Sequence, residues 1–140
     1  MKHVNPATSR LLIWSTRHAP WTIRRIVGLM LGSDIACALP KATILGHPYG
    51  IVIHSRTHIG ENVTIMQNVT IGERRPGETE GATIGDGAMI CASAILLGPV
   101  HIGEGAIVAA GSVVLDDVPP HATVAGNPAR VVRRAQTTVP

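Results

Sequence analysis

From Ile53 onward a single spacing governs the chain: aliphatic residues recur every six positions. Ile53, Ile59, Ile65 and Ile71 form one register, and Ile84, Ile90, Leu96, Ile102, Val108 and Val114 form a second. The fifth position of the hexads is small or β-branched: Thr57, Val63, Val69, Ala88, Ala94, Val100, Ala106, Ser112 and Val118. The second is often glycine, at Gly60, Gly72, Gly85 and Gly103. A period of six is neither the 2 of a strand nor the 3.6 of a helix. It fits a short strand, a turn and a new direction. Three such units close one triangular coil of about 18 residues, and successive coils stack at strand spacing, about 4.8 Å. The aliphatic first position then points inward, and a small fifth position lets the corner close. Glycine at the second position suggests a tight, partly left-handed backbone.

Composition agrees with that prism. The chain has 140 residues, enough for one domain. Apolar residues make up 45% and charged residues 15%, which excludes disorder by composition. Phe is absent, and two Trp and one Tyr are the only other rings, so the core is aliphatic. A narrow prism has no room for rings. Fifteen Gly and ten Pro exclude a bundle of long helices. The net charge of +3 suits an anionic small ligand or surface. Its basic residues are not interleaved with aromatics, so nucleic acid is not an expected partner. Cys37 and Cys91 are too few and too far apart for a disulfide scaffold, which points to a reducing, cytoplasmic setting. No apolar run reaches membrane-span length and no signal peptide is read.

The register breaks once. Ile71 to Ile84 is thirteen residues rather than twelve, and the polar run Glu73-Arg-Arg-Pro-Gly-Glu-Thr-Glu-Gly81 lies between them. Residues 73–82 are read as a loop thrown out of the prism. Ile35 to Val52 forms about one irregular coil, and Pro119-Pro120 is expected to stop the coils. Residues 1–33 form a helical cap, 34–134 the β-helix and 135–140 a frayed tail. Within the cap, Pro20 to Gly32 reads as one short helix with Ile23, Ile26, Val27 and Met30 on a common face. That face either closes the open end of the prism or rests on the inner face of a membrane. After Asn127 the chain is expected to be strand-like.

The words His47-Pro-Tyr-Gly-Ile-Val-Ile53, Val69-Thr-Ile-Gly72, Ala110-Gly-Ser-Val-Val-Leu115 and Gly126-Asn-Pro-Ala-Arg130 resemble the hexapeptide-repeat acyltransferases. The similar subgroup is the serine acetyltransferase-like branch, which includes exopolysaccharide and colanic-acid-type O-acetyltransferases. The resemblance implies an all-β, left-handed parallel β-helix of about four coils behind a short N-terminal helical segment. It further implies direct transfer from acetyl-CoA to a hydroxyl in a ternary complex, with no metal, in a homotrimer with sites between subunits.

An alcohol needs a base to take its proton as it attacks a thioester, and histidine suits that near neutral pH. The resemblance gives this role to His47, and to Asp34, from the Asp34-Ile35 pair, the role of orienting it. The spacing between the two is about two residues shorter than the family pattern. By resemblance Ala92, Ser93, Ala110 and Gly111 are expected along the pantetheine arm. Gly72 is expected near the thioester oxygen and Arg130, with Arg133 and Arg134, near the CoA phosphates. Tyr49, His54 and Gln67 are acceptor-side candidates. Cys91 is read as a small corner residue, not a nucleophile.

Departures from serine acetyltransferases bear on the acceptor. Gly46 stands where they carry Asp directly before the base. Glu80-Gly81-Ala82 stands where they carry Arg-His-Pro, and a long helical N-terminal domain is replaced by about 33 residues. A ligand with two charges needs paired partners in a partly dry site. The acceptor expected from sequence is therefore a sugar or polysaccharide-precursor hydroxyl. A serine O-acetyltransferase with a truncated N-terminal domain, another acceptor such as an amino sugar, and a non-catalytic scaffold are the alternatives.

Overall fold

The computed structural model describes residues 6–133. The tail at 135–140 and Arg134 lie outside the described residues. Two helices open the chain, α1 (Ala7–His18) and α2 (Trp21–Leu31). Fourteen strands follow: β1 (Asp34–Ile35), β2 (Ile44–Leu45), β3 (Val52–Ile53), β4 (His58–Ile59), β5 (Thr64–Ile65), β6 (Thr70–Gly72), β7 (Thr83–Ile84), β8 (Met89–Ile90), β9 (Ile95–Leu97), β10 (His101–Ile102), β11 (Ile107–Val108), β12 (Val113–Val114), β13 (Thr123–Gly126) and β14 (Ala129–Arg133).

The strands form the three faces of a left-handed parallel β-helix. Face one is β1-β3-β6-β9-β12, face two is β4-β7-β10, and face three is β2-β5-β8-β11-β13-β14. All pairs are parallel except the closing hairpin β13–β14. Every first-position aliphatic except the half-buried Ile59 is buried, as is every fifth-position residue. The period of six thus builds one continuous aliphatic column.

Three details differ from the sequence reading. The second-position glycines are not left-handed. A Cβ on Gly85 would lie 2.7 Å from the Glu104 nitrogen, and one on Gly103 2.4 Å from the Pro120 nitrogen, so these glycines let one coil approach the next. The left-handed residue is the fourth of the hexad: Asn62, Asn68, Gly87, Ser93, Gly105 and Gly111. Pro119-Pro120 does not stop the coils. The two prolines occupy a corner, His121 takes the left-handed turn, and β13 adds another parallel rung on β11. Finally, the N-terminal segment holds two helices, and the first of them caps the prism. In α1, Leu12 and Ile13 are buried, Ser9 Oγ donates to the Leu45 carbonyl (2.8 Å), and Thr16 Oγ1 accepts the Leu39 N–H (3.3 Å). In α2, Pro20 precedes the first turn and Gly32 closes the helix in the left-handed region, as expected. Of the face expected there, only Val27 is buried; Ile23, Ile26 and Met30 are exposed.

Candidate active site

The chain runs from face one to two to three, so three edges separate the faces. The edge between faces three and one is built from the stretches 46–51, 66–69, 91–94 and 109–112. Corner hydrogen bonds bind them in register. Asn68 N–H donates to the Tyr49 carbonyl (2.9 Å), Ser93 N–H to Gln67 (3.0 Å) and Gly111 N–H to Ala92 (2.9 Å). His47, Tyr49, Gln67, Ala92, Ser93, Ala110 and Gly111 therefore share one edge. Arg130 lies beyond its far end, since β14 pairs Arg130 with Ala125, the residue that follows Val124. From β2 to β14 there are five inter-strand steps, about 24 Å at strand spacing. A histidine stands at one end and small residues line the middle, while the Arg130 backbone lies beyond the other end and its guanidinium turns to Asp116, past β12 on the edge between faces one and two.

His47 sits on the turn that leaves β2, and it is exposed. Pro48 behind it is buried, and buried Ser33 pins the turn: its hydroxyl donates to the Pro48 carbonyl (2.8 Å) and accepts the Ile51 N–H (3.1 Å). Gly50 completes the turn at φ +66°, with the Asn68 side chain 2.2 Å from where a Cβ would lie. A larger residue there would be strained by the positive φ and would have to displace the Asn68 side chain. The backbone that carries the imidazole is thus fixed while the ring faces solvent. Beside it, Gln67 Oε1 is buried with no hydrogen-bond partner, and the same holds for Ser112 Oγ further along the edge. An unpaired buried acceptor costs about 1–3 kcal/mol, so the Gln67 carbonyl is an acceptor awaiting a donor.

The other predicted residues are distributed differently. Asp34 is exposed on face one, paired with Val52, and makes no ion pair with His47. Gly72 and His54 lie on the edge between faces one and two, where residues 73–82 leave the prism. There the structure builds a histidine–carboxylate pair that the sequence reading did not contain. His54 Nε2 lies 3.2 Å from Glu73 Oε1, Arg56 Nη1 lies 3.8 Å from the same oxygen, and His54 Nδ1 accepts the Arg56 N–H (3.4 Å). The only sequence signal was the position of Glu73 directly after the end of a coil. Arg74 donates to the Leu115 carbonyl and Arg56 to the Glu78 carbonyl, so the loop is tied down at both its start and its middle. Arg130 reaches Asp116 (3.5 Å) with both groups exposed. Burial raises the Cys91 thiol, which disfavours a thiolate nucleophile there.

Residues 81–116 match the bacterial transferase hexapeptide family (six repeats). The chain is 41% identical to a probable serine acetyltransferase of Oryza sativa subsp. japonica, over 82% of this chain and 42% of the relative. It is 46% identical to the serine acetyltransferase of Bacillus pumilus, over 66% of this chain and 46% of the relative. Among solved structures, the Brucella abortus serine acetyltransferase in complex with coenzyme A superposes with a TM-score of 0.77 at 31% identity, covering 91% of this chain and 54% of that one. The Neisseria gonorrhoeae serine acetyltransferase in complex with serine superposes with a TM-score of 0.73 at 35% identity, covering 89% and 54%. The chain spans less than half the length of these curated relatives.

Proposed function

Given a hexapeptide-repeat β-helix of the serine acetyltransferase-like branch, we propose that this chain is an acetyl-CoA-dependent O-acetyltransferase with His47 as general base. The observation that carries this reading is the order along one edge: base, unpaired Gln67 acceptor, then small residues. An extended thioester substrate has its reactive end and its slender arm in that same order, and Arg130 borders the far end from its pairing with Asp116. The small side chains of Ala92, Ser93, Ala110 and Gly111 let the arm lie against backbone. A guanidinium at the far end suits phosphate.

In the proposed reaction His47 takes the acceptor hydroxyl proton while the oxygen attacks the thioester carbonyl. The tetrahedral oxyanion collapses, the C–S bond breaks, and the CoA thiolate leaves and takes a proton. Transfer is direct, so no cysteine nucleophile is involved. Because Asp34 is not paired with His47 in one protomer, orientation of the imidazole is assigned to the pinned turn and to a neighbouring subunit. The assembly proposed is a homotrimer.

L-Serine is the acceptor the relatives favour, since they are named serine acetyltransferases and one is solved with serine. One observation favours a sugar hydroxyl instead. At Gly46, where the branch carries Asp, a Cβ would lie 2.9 Å from the Met66 sulfur. A thioether lies where a side chain at position 46 would begin, and no carboxylate stands there to meet an amine. Thiol release from acetyl-CoA separates the two readings, using wild type and His47→Ala against L-serine and a panel of sugars and nucleotide sugars. Turnover with serine that is lost in the variant is the expected result. Turnover with sugars alone moves the acceptor, and silence with every acceptor and no acetyl-CoA binding makes the chain a non-catalytic scaffold.

A further inference from the structure

The helical segment presents an apolar face that nothing in the protomer covers. Helix α2 uses one narrow strip, Val27 with half-buried Leu31 and Arg24, to meet the prism. Arg24 donates to the Ile35 carbonyl (2.7 Å). The rest of its circumference is mostly apolar, broken by Thr22 and Arg25: Trp21 is 72% exposed, Leu29 75% and Met30 80%, and Ile23 and Ile26 also face outward. Exposed apolar side chains at this density mark an interaction surface rather than scattered surface residues.

Charge says what covers it. Residues 6–33 contain Arg10, Arg17, Arg24 and Arg25 and no Asp or Glu; all nine acids of the chain lie at Asp34 or beyond. A second copy meeting it with the same face would set this cationic segment against itself, and a neighbour in the proposed trimer would meet it with a different face. An anionic partner complements the charge of the segment directly. Both tryptophans, Trp14 and Trp21, are in this segment and half or more exposed. Tryptophan is the side chain that prefers the boundary between water and hydrocarbon. No described helix is long and apolar enough to cross a membrane. An acid-free helix with Trp, Leu, Ile and Met outward and Arg25 exposed among them is suited to lie in the plane of an anionic bilayer.

We infer that α2, with α1 behind it, is a peripheral docking surface for anionic lipid bilayers. The probe is a phosphatidylcholine vesicle doped with phosphatidylglycerol, set against pure phosphatidylcholine. Wild type is expected to float with the anionic vesicles at low salt and to be released at high salt. In a Trp14→Phe variant, Trp21 is the sole tryptophan, and its emission is expected to shift to the blue on binding. Ile26→Glu combined with Met30→Glu is expected to lower partitioning about tenfold or more, and Arg25→Glu to lower it less. Both glutamates replace exposed side chains, and an unchanged melting temperature verifies that the prism is intact. Absence of flotation at low salt would overturn the proposal. So would binding that ignores the double variant or the lipid charge. Failure to float together with an oligomer that dissociates in the double variant, seen by sedimentation, would assign the face to a second copy instead.

Discussion

Two edges of the same prism are built from the same repeat and do different things. The edge that carries His47 is smooth. Each coil turns there within six residues, through Gly50, Asn68, Ser93 and Gly111, all left-handed. The edge between faces one and two is interrupted by residues 73–82, which fold back onto Arg56, His54 and Leu115. Repetition produces an unbroken line of small corner residues, and breaking the repetition produces a place for side chains that such a line does not hold. Ile71 stands on face one and Ile84 on face two, so the thirteen-residue step between these positions holds one hexad step and seven extra residues, and that insertion is where the division is made.

The largest test of this comparison removes one histidine from each edge. His47→Ala is expected to lower kcat/KM for acetyl transfer by about 10²–10⁴-fold, the usual worth of a positioned base. His54→Ala is expected to cost less than about tenfold, since it would remove only contacts. Steady-state thiol release reads both, and the reverse ranking would move the base to the His54–Glu73 pair.

Cys37 probes the irregular first coil on which the His47 turn stands. Burial pushes its thiol up to about 11. The unfolded chain therefore loses this proton before the folded chain does. The benefit of keeping the thiol buried and neutral is complete below about pH 9 and declines as pH rises toward 11, by about 2–3 kcal/mol in all. Chemical denaturation across that range should show the decline in wild type, and a shallower one in Cys37→Ala.

Filling the slot should separate binding from folding. Ala110→Leu places a branched side chain on the smooth edge and is expected to raise KM for acetyl-CoA about tenfold, near 1.4 kcal/mol, with the melting temperature unchanged. Thr79→Leu, an equally exposed change in the loop, should leave KM alone. Equal effects would erase the distinction between the edges. The smallest effect belongs to Glu73→Gln. It weakens a half-exposed ion pair worth less than about 1 kcal/mol, and the expected readout is faster proteolytic cleavage within 73–82 rather than a change in melting temperature.

The prism was legible in the chain because each of its contacts repeats. An inward isoleucine every six residues cannot be satisfied by a helix or a flat sheet. Other features were not legible, for physical reasons. Helix α1 buries Ser9, Ser15 and Thr16 and bonds their hydroxyls to backbone carbonyls, so its packed face reads as polar. The second-position glycines were misread because close approach and positive φ select the same residue. Pro119-Pro120 looked like a stop, although a corner needs no N–H from either position. The alignment of Gln67, Ser93 and Gly111 follows from the period, whereas His47 lies in the irregular coil before it and is assigned by resemblance, and the His54–Glu73 pair depends on how one insertion folds back, which no period encodes.

The order of rungs makes the smooth edge a ruler. His47 and Gly111 are held apart by three coils, each about 4.8 Å high. A variant lacking one complete coil between them would keep every inward contact in register and shorten the span by one graduation. The span along this edge is then set by counting coils, a quantity that changes only in whole steps.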